Sequence, residues 1–194
     1  MSIPAPSRPR SQPLWLTAAV VILGFVAGLY LIEGIDTALG NRLDGYGVIP
    51  REPEGFDGIL FAPLLHVGWV HLIANTVPLL VLGYLILLSG IARWAAVTAV
   101  VWLIGGFGTW LTGADNSIHL GASVLVFGWL VYLVLRGVFT RRLGQVLIGM
   151  AVLFFYGGAL WGVLPVQEGI SWQAHLFGAV GGGLAARWFA NRDI

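Results

Sequence analysis

The chain contains no cysteine and no lysine, and it carries few charges of either sign. Without cysteine, a disulfide framework, a thiol nucleophile and a thiolate metal site are all excluded. All ten basic residues are arginine, set against nine acids for a net charge of +1. That balance offers no basic surface for nucleic acid, and nucleic acid is not an expected partner. Charged residues make up 10% of the 194 positions, whereas a soluble domain has about 25%. The first long apolar run also lacks a small-residue cleavage site after it, so it does not read as a signal peptide.

What remains is apolar. Hydrophobic residues are 58% of the chain, with 28 glycines and nine tryptophans, and the mean hydropathy is +0.87. Glycine is frequent in membrane-spanning helices and tryptophan gathers at membrane interfaces. The expected class is an all-α integral membrane protein, multi-pass, with the lipid bilayer as its surroundings. Residues 1–13, rich in proline and serine, read as a disordered tail. Leu14 to Ile32 has no charge and matches the roughly 20 residues that cross the hydrocarbon. Residues 33–57 read as a long acidic loop. A second span begins somewhere in 60–68 and runs to about Leu88, further spans follow at about 94–111, 119–135, 143–164 and 172–190, and 191–194 are a short tail. The single domain is therefore a six-helix bundle over 14–190.

Six spans put both termini on one side. Arg8, Arg10, Arg93, Arg136, Arg141, Arg142, Arg187 and Arg192 fall on that side, and eight of the nine acids fall on the other. The positive-inside rule places the termini in the cytoplasm. No inverted repeat is evident, which weighs against a transporter.

The polar groups inside the spans carry the chemistry. His71 and Asn75 lie in the outer half of the second span, four residues apart and so on one face. Ser123 is expected about a turn inside the fourth span, and His175 one turn inside the sixth. Three segments thus place polar groups at one shallow depth, and an ionisable residue inside a membrane is a functional hypothesis by default. Gly178 and Gly182 share the face of His175, opposite the small residues Gly121, Ala122 and Gly128. Small residues let helix backbones approach closely, as a serine hydroxyl and an imidazole must to share a hydrogen bond. A serine needs a base to take its proton, and His175 is the available one. No carboxylate lies within the apolar part of a helix, so a Ser–His dyad is the economical arrangement rather than a triad. The amide of Asn75, His71 and the backbone N–H of Ser123 are the available oxyanion donors. Zinc is not expected, because His71 and His175 lack a third ligand of suitable type; no cofactor is called for. His119, just before the fourth span, reads as an interfacial residue without a role.

These residues resemble the rhomboid intramembrane serine proteases in their basic six-helix bacterial form. The likeness covers about 58–190. It rests on His66-Val-Gly-Trp-Val-His71-Leu-Ile-Ala-Asn75, on Gly121-Ala-Ser123, and on Ala174-His175-Leu-Phe-Gly178-Ala-Val-Gly-Gly182. The resemblance implies Ser123 as nucleophile, His175 as general base, and His71 and Asn75 in the oxyanion hole. His66 would support the entrance to the second span, Gly121 would shape the turn at the nucleophile, and Phe127 would pack against the catalytic histidine. Substrates would be membrane proteins cut in or near a transmembrane segment. Two positions depart from the family pattern. Val124 stands where glycine usually follows the nucleophile, and the first loop lacks a Trp-Arg pair found in many members. Val124 keeps a second reading open, a catalytically inactive relative that binds transmembrane helices. The physiological substrate and the oligomeric state are not encoded in any of these signals.

Overall fold

The structure is a computed structural model, and it describes residues 12–166 and 169–192. Helix α1 (Leu14–Ala38) leads into a connecting segment made of short turns. These are two 3-10 turns (Leu43–Tyr46 and Pro53–Gly55), a single α-helical turn α2 (Gly58–Phe61) and a third 3-10 turn (Ala62–Leu64). Then come α3 (Gly68–Leu87), α4 (Ile91–Thr112), α5 (Ser123–Thr140) and α6 (Leu143–Tyr156), which continues as a 3-10 stretch over Gly157–Val163, and finally α7 (Trp172–Phe189). Residues 1–11 of the expected tail and Glu168 lie outside the described residues.

Among the described residues, five helices are long and apolar enough to cross a membrane: α1, α3, α4, α5, and α6 with its 3-10 continuation. Their lipid-side surface is apolar. Val70 and Phe154 are each 84% exposed, an arrangement that water would penalise and hydrocarbon does not. Helix α7 is less apolar, because four glycines, Gln173 and His175 sit in its 18 residues. It is instead packed along its length against α4 and α5. The protein is an integral, multi-pass membrane protein.

Several boundaries differ from the sequence reading, each for a local reason. Helix α1 runs six residues past the last uncharged position and takes in Glu33 and Asp36, each only 2% exposed. Asp36 earns its place by folding the chain back on itself: its Oδ1 accepts the Leu43 N–H at 2.7 Å and its carbonyl accepts the Asn41 N–H at 2.9 Å. A hydropathy count ends at the first charge, but a helix need not. Helix α5 begins at Ser123 itself, with Ala122 as its N-cap, rather than four residues earlier. Gly121 is the cause: its φ of +129° is foreign to a helix and to most side chains.

The acidic connecting segment is held firmly to the bundle end. Trp102 Nε1–H donates to the Ile59 carbonyl at 2.8 Å, and Trp110 Nε1–H to that of Glu52 at 3.0 Å. Arg51 donates to the Leu111 carbonyl and pairs with Asp115. Val48 and His119 exchange two backbone hydrogen bonds at 2.8 and 2.9 Å, and the Gly121 N–H donates to the Ala62 carbonyl at 2.9 Å. Loop one therefore braces the segment that leads into Ser123.

At the middle of the bundle, Trp129 and Tyr132 are fully buried among Leu79, Leu82, Ile86, Val97 and Val101. The Trp129 indole N–H finds the Thr98 hydroxyl at 3.1 Å, which satisfies the one polar group this large side chain brings inside.

Candidate active site

Helices α3, α5 and α7 all begin at the same end of the bundle, and their first two turns carry the polar residues singled out above. Close contact between α5 and α7 sets the central geometry. A methyl group at Gly178 would stand 3.2 Å from the Val124 carbonyl carbon, and one at Gly182 would stand 2.8 Å from that of Gly128. The two backbones touch along these glycines, and no side chain fits between them.

That approach brings Ser123 Oγ within 2.9 Å of His175 Nε2. The other imidazole nitrogen, Nδ1, lies 2.9 Å from the Gly162 carbonyl. A carbonyl only accepts, so Nδ1 carries the proton and donates it there. Nε2 is then the bare nitrogen, and it accepts from the Ser123 hydroxyl. The tautomer a general base requires follows from the partner of its far nitrogen. The orienting group is thus a backbone carbonyl in the 3-10 stretch after α6, in the position where a triad would have a carboxylate. Nothing in the sequence marked Gly162 for this, since any residue supplies a carbonyl. Phe127 lies one turn beyond Ser123 and stacks on the His175 ring, with centroids 4.0 Å apart and planes 8° from parallel. The imidazole is therefore fixed by its hydrogen bonds in plane and by the phenyl face out of plane.

The residues on the α3 side close around the same loop. His71 packs over Gly121: a methyl group there would come within 2.9 Å of His71 Nε2. His66, 1% exposed, accepts the Ala122 N–H on Nε2 at 3.3 Å, and its ring meets that of His71 edge-on at 5.2 Å. Asn75, one turn deeper than His71, is 7% exposed, and its amide nitrogen has no hydrogen-bond partner among the described residues. A buried donor without a partner costs about 1–3 kcal/mol, so its presence asks for a use. Ser123 opens α5, and the first N–H groups of a helix have no intrahelical acceptor. Donors are therefore available around the serine from two elements.

Val124 does not obstruct this arrangement. It is 4% exposed, and its Cγ2 sits in the notch left by Gly105 on α4, where a Cβ would collide with it. A glycine missing from α5 is matched by a glycine on its neighbour. Beside Ser123 lies a cavity of about 20 Å³, lined by His119, Gly121, Val124, Gly105, Thr109 and Ala174 among others. That volume suits a single water molecule. Among the described residues, no group of three or more His, Asp or Glu is placed to hold a metal ion.

The fold and site define a class: a polytopic membrane protein with a serine–histidine pair at one end of its helix bundle. A family model described as the rhomboid domain matches residues 54–192, and the chain belongs to the rhomboid family. It is similar to the uncharacterised protein Rv1337 of Mycobacterium tuberculosis (strain H37Rv), 49% identical over 193 residues, covering 93% of this chain and 80% of that protein. A Mycobacterium leprae protein, the uncharacterised ML1171, is 49% identical over 180 residues, covering 89% of this chain and 71% of that one. More distantly, a Bacillus subtilis protein named as a candidate rhomboid protease, YdcA, is 32% identical over 128 residues, covering 61% of this chain and 60% of that one.

Proposed function

We propose that the protein is an intramembrane serine endopeptidase that hydrolyses peptide bonds in or near transmembrane segments of membrane proteins. One observation carries the reading: Ser123 Oγ sits 2.9 Å from His175 Nε2 while Nδ1 is committed to the Gly162 carbonyl. Family membership supports it.

The steps follow from the geometry. Ser123 Oγ attacks the scissile carbonyl carbon as its proton passes to His175 Nε2, and the Gly162 carbonyl steadies the imidazolium through Nδ1–H. The developing oxyanion takes hydrogen bonds from the Asn75 amide, from His71 and from the Ser123 backbone N–H; one such donor contributes about 3–4 kcal/mol. The C–N bond then breaks, and the His175 proton goes to the leaving amine. A water attacks the acyl-serine ester, gives a proton to His175, and releases the acid as Ser123 regains its hydrogen. No metal or cofactor enters. His66 holds the Ala122 N–H, Gly121 shapes the turn, Gly178 permits the approach of α7, and Phe127 holds the base. The unit spans residues 14–190 and crosses the bilayer six times with α7 as the sixth span. Both termini are cytoplasmic and the site lies near the outer face, as the arginine distribution argues.

The inactive helix-binding reading rested on Val124, and the Gly105 notch removes its steric ground. The test is covalent labelling by a fluorophosphonate probe of purified protein in detergent. Labelling located at Ser123 and lost in both Ser123→Ala and His175→Ala is the expected result. A native chain inert to several such probes would favour the helix-binding reading.

A further inference from the structure

The geometry points to His119 as a positioning residue for the dyad: its imidazole ties the loop that ends in Ser123 to the turn that starts the helix of His175. The inference rests on the protease reading above and goes beyond its set of residues.

His119 bridges two serines. Its Nε2 lies 2.8 Å from Ser117 Oγ, and its Nδ1 lies 2.7 Å from Ser171 Oγ. The proton positions follow by elimination. Ser117 gives its only hydroxyl hydrogen to the Ala114 carbonyl at 2.6 Å, so it accepts from Nε2–H. Nδ1 is then bare and accepts the Ser171 hydroxyl. Burial holds the His119 imidazole below its ordinary pKa, which keeps it neutral and able to give on one side and take on the other.

Ser171 makes this bond without capping its own helix. Ser171 is the N-cap residue of α7. A serine there normally turns its hydroxyl toward the first N–H groups of its own helix, worth roughly 1 kcal/mol. Here it makes no capping bond and points at His119 instead. Its carbonyl meanwhile accepts the His175 N–H at 3.2 Å. A continuous path therefore runs from the His119 ring through Ser171 to the backbone of His175. At its other end, His119 is pinned by the backbone pair with Val48 and sits four residues before Ser123. Its ring also lies against Gly113, where a Cβ would come within 2.8 Å of Nε2, and it lines the cavity beside Ser123. Across the two segments that carry the dyad, the packing of α5 on α7 fixes one side and His119 the other.

The test uses the purified full chain in liposomes. It measures kcat and KM for a fluorescent single-span substrate, the rate of fluorophosphonate labelling at Ser123, and the thermal midpoint. His119→Ala is expected to lower kcat and the labelling rate by roughly 10- to 100-fold, because a misplacement near 1 Å costs about that much, with KM little changed. His119→Asn, whose Oδ1 takes the place of Nδ1 as acceptor for Ser171, is expected to recover most of the loss. Ser171→Ala should lower kcat similarly, and the double variant should be no slower than the slower single one, as residues on one path are not additive. Should His119→Ala fail to fold, Ser171→Ala with Ser171→Thr as its rescue decides the question. A His119→Ala chain as fast as the native one, a loss that asparagine does not recover, or fully additive single losses would each overturn the inference alone. A native chain that neither labels nor cleaves would overturn the protease reading and this inference with it.

Discussion

Replacing Gly178 by alanine tests whether backbone contact between α5 and α7 sets the dyad. The added methyl would stand 3.1 Å from Val124 Cγ2 and 3.2 Å from the Val124 carbonyl carbon, with the carbonyl oxygen nearer still. Ordinary contact begins at 3.4 Å. Most of the obstruction is main chain, which has no rotamer to adopt, so the helices must part. A separation on the order of 0.5–1 Å relieves the clash, and overpacking of this kind costs about 1–3 kcal/mol. The site lies one turn from the point of contact, since His175 precedes Gly178 by three residues on the same helix face. The Ser123–His175 distance of 2.9 Å would then pass the outer limit of about 3.2 Å for a good hydrogen bond. A loss of about 100-fold in kcat is expected, equivalent to about 2.7 kcal/mol of barrier. Turnover of a single-span substrate in liposomes and thermal unfolding in detergent read the two effects. Gly24→Ala is the control, because nothing lies within 4 Å of a Cβ there. A Gly178→Ala protein with native turnover and native stability would refute the reasoning, since it would show that the glycine contact does not set the distance.

Three further outcomes are expected. Asn75→Ala should lower kcat by about 100- to 1000-fold with KM little changed, as loss of one oxyanion donor does; steady-state kinetics would show otherwise if Asn75 only packs. Val124→Gly should not improve activity and should lower stability by about 2 kcal/mol, because it empties the Gly105 notch; a more active or more stable protein would mean that valine obstructs the site after all. Trp129→Ala should cost about 3–5 kcal/mol, enough to prevent recovery of folded protein, whereas a small shift in thermal midpoint would place the packing centre elsewhere.

How far the sequence revealed this site depends on the kind of information each residue carries. Ser123, His71, Asn75 and His175 were visible because polar side chains stand out in apolar spans, and their shared distance from the helix starts put them at one end. The family resemblance implied that Phe127 packs against the histidine, and the structure stacks it on His175. The expectation that Ser123 lies a turn inside its helix failed, because the positive φ of Gly121 delays the helix start and no periodicity reports a backbone angle. His119, read from the sequence as interfacial, is hydrogen-bonded on both ring nitrogens. Its bonds to Ser117 and Ser171 join positions 2 and 52 residues away, and only folding brings the second of these near. Gly162 was invisible because it acts through its carbonyl. The match between Val124 and Gly105 was invisible because it pairs two helices that are separate in sequence. Helix α7 carries His175 yet is less apolar than the five helices able to cross a membrane, and it packs against α4 and α5.

The central claim is that Ser123 and His175 form a working hydrolytic pair in the membrane. Its most direct test is cleavage of a fluorescent single-span substrate by the native chain reconstituted in liposomes, with Ser123→Ala and His175→Ala beside it. The account predicts cleavage within or beside the transmembrane segment by the native protein and none by either variant, all three being equally folded. Cleavage that persists in either variant, or a folded native chain that cuts none of several such substrates, would contradict it.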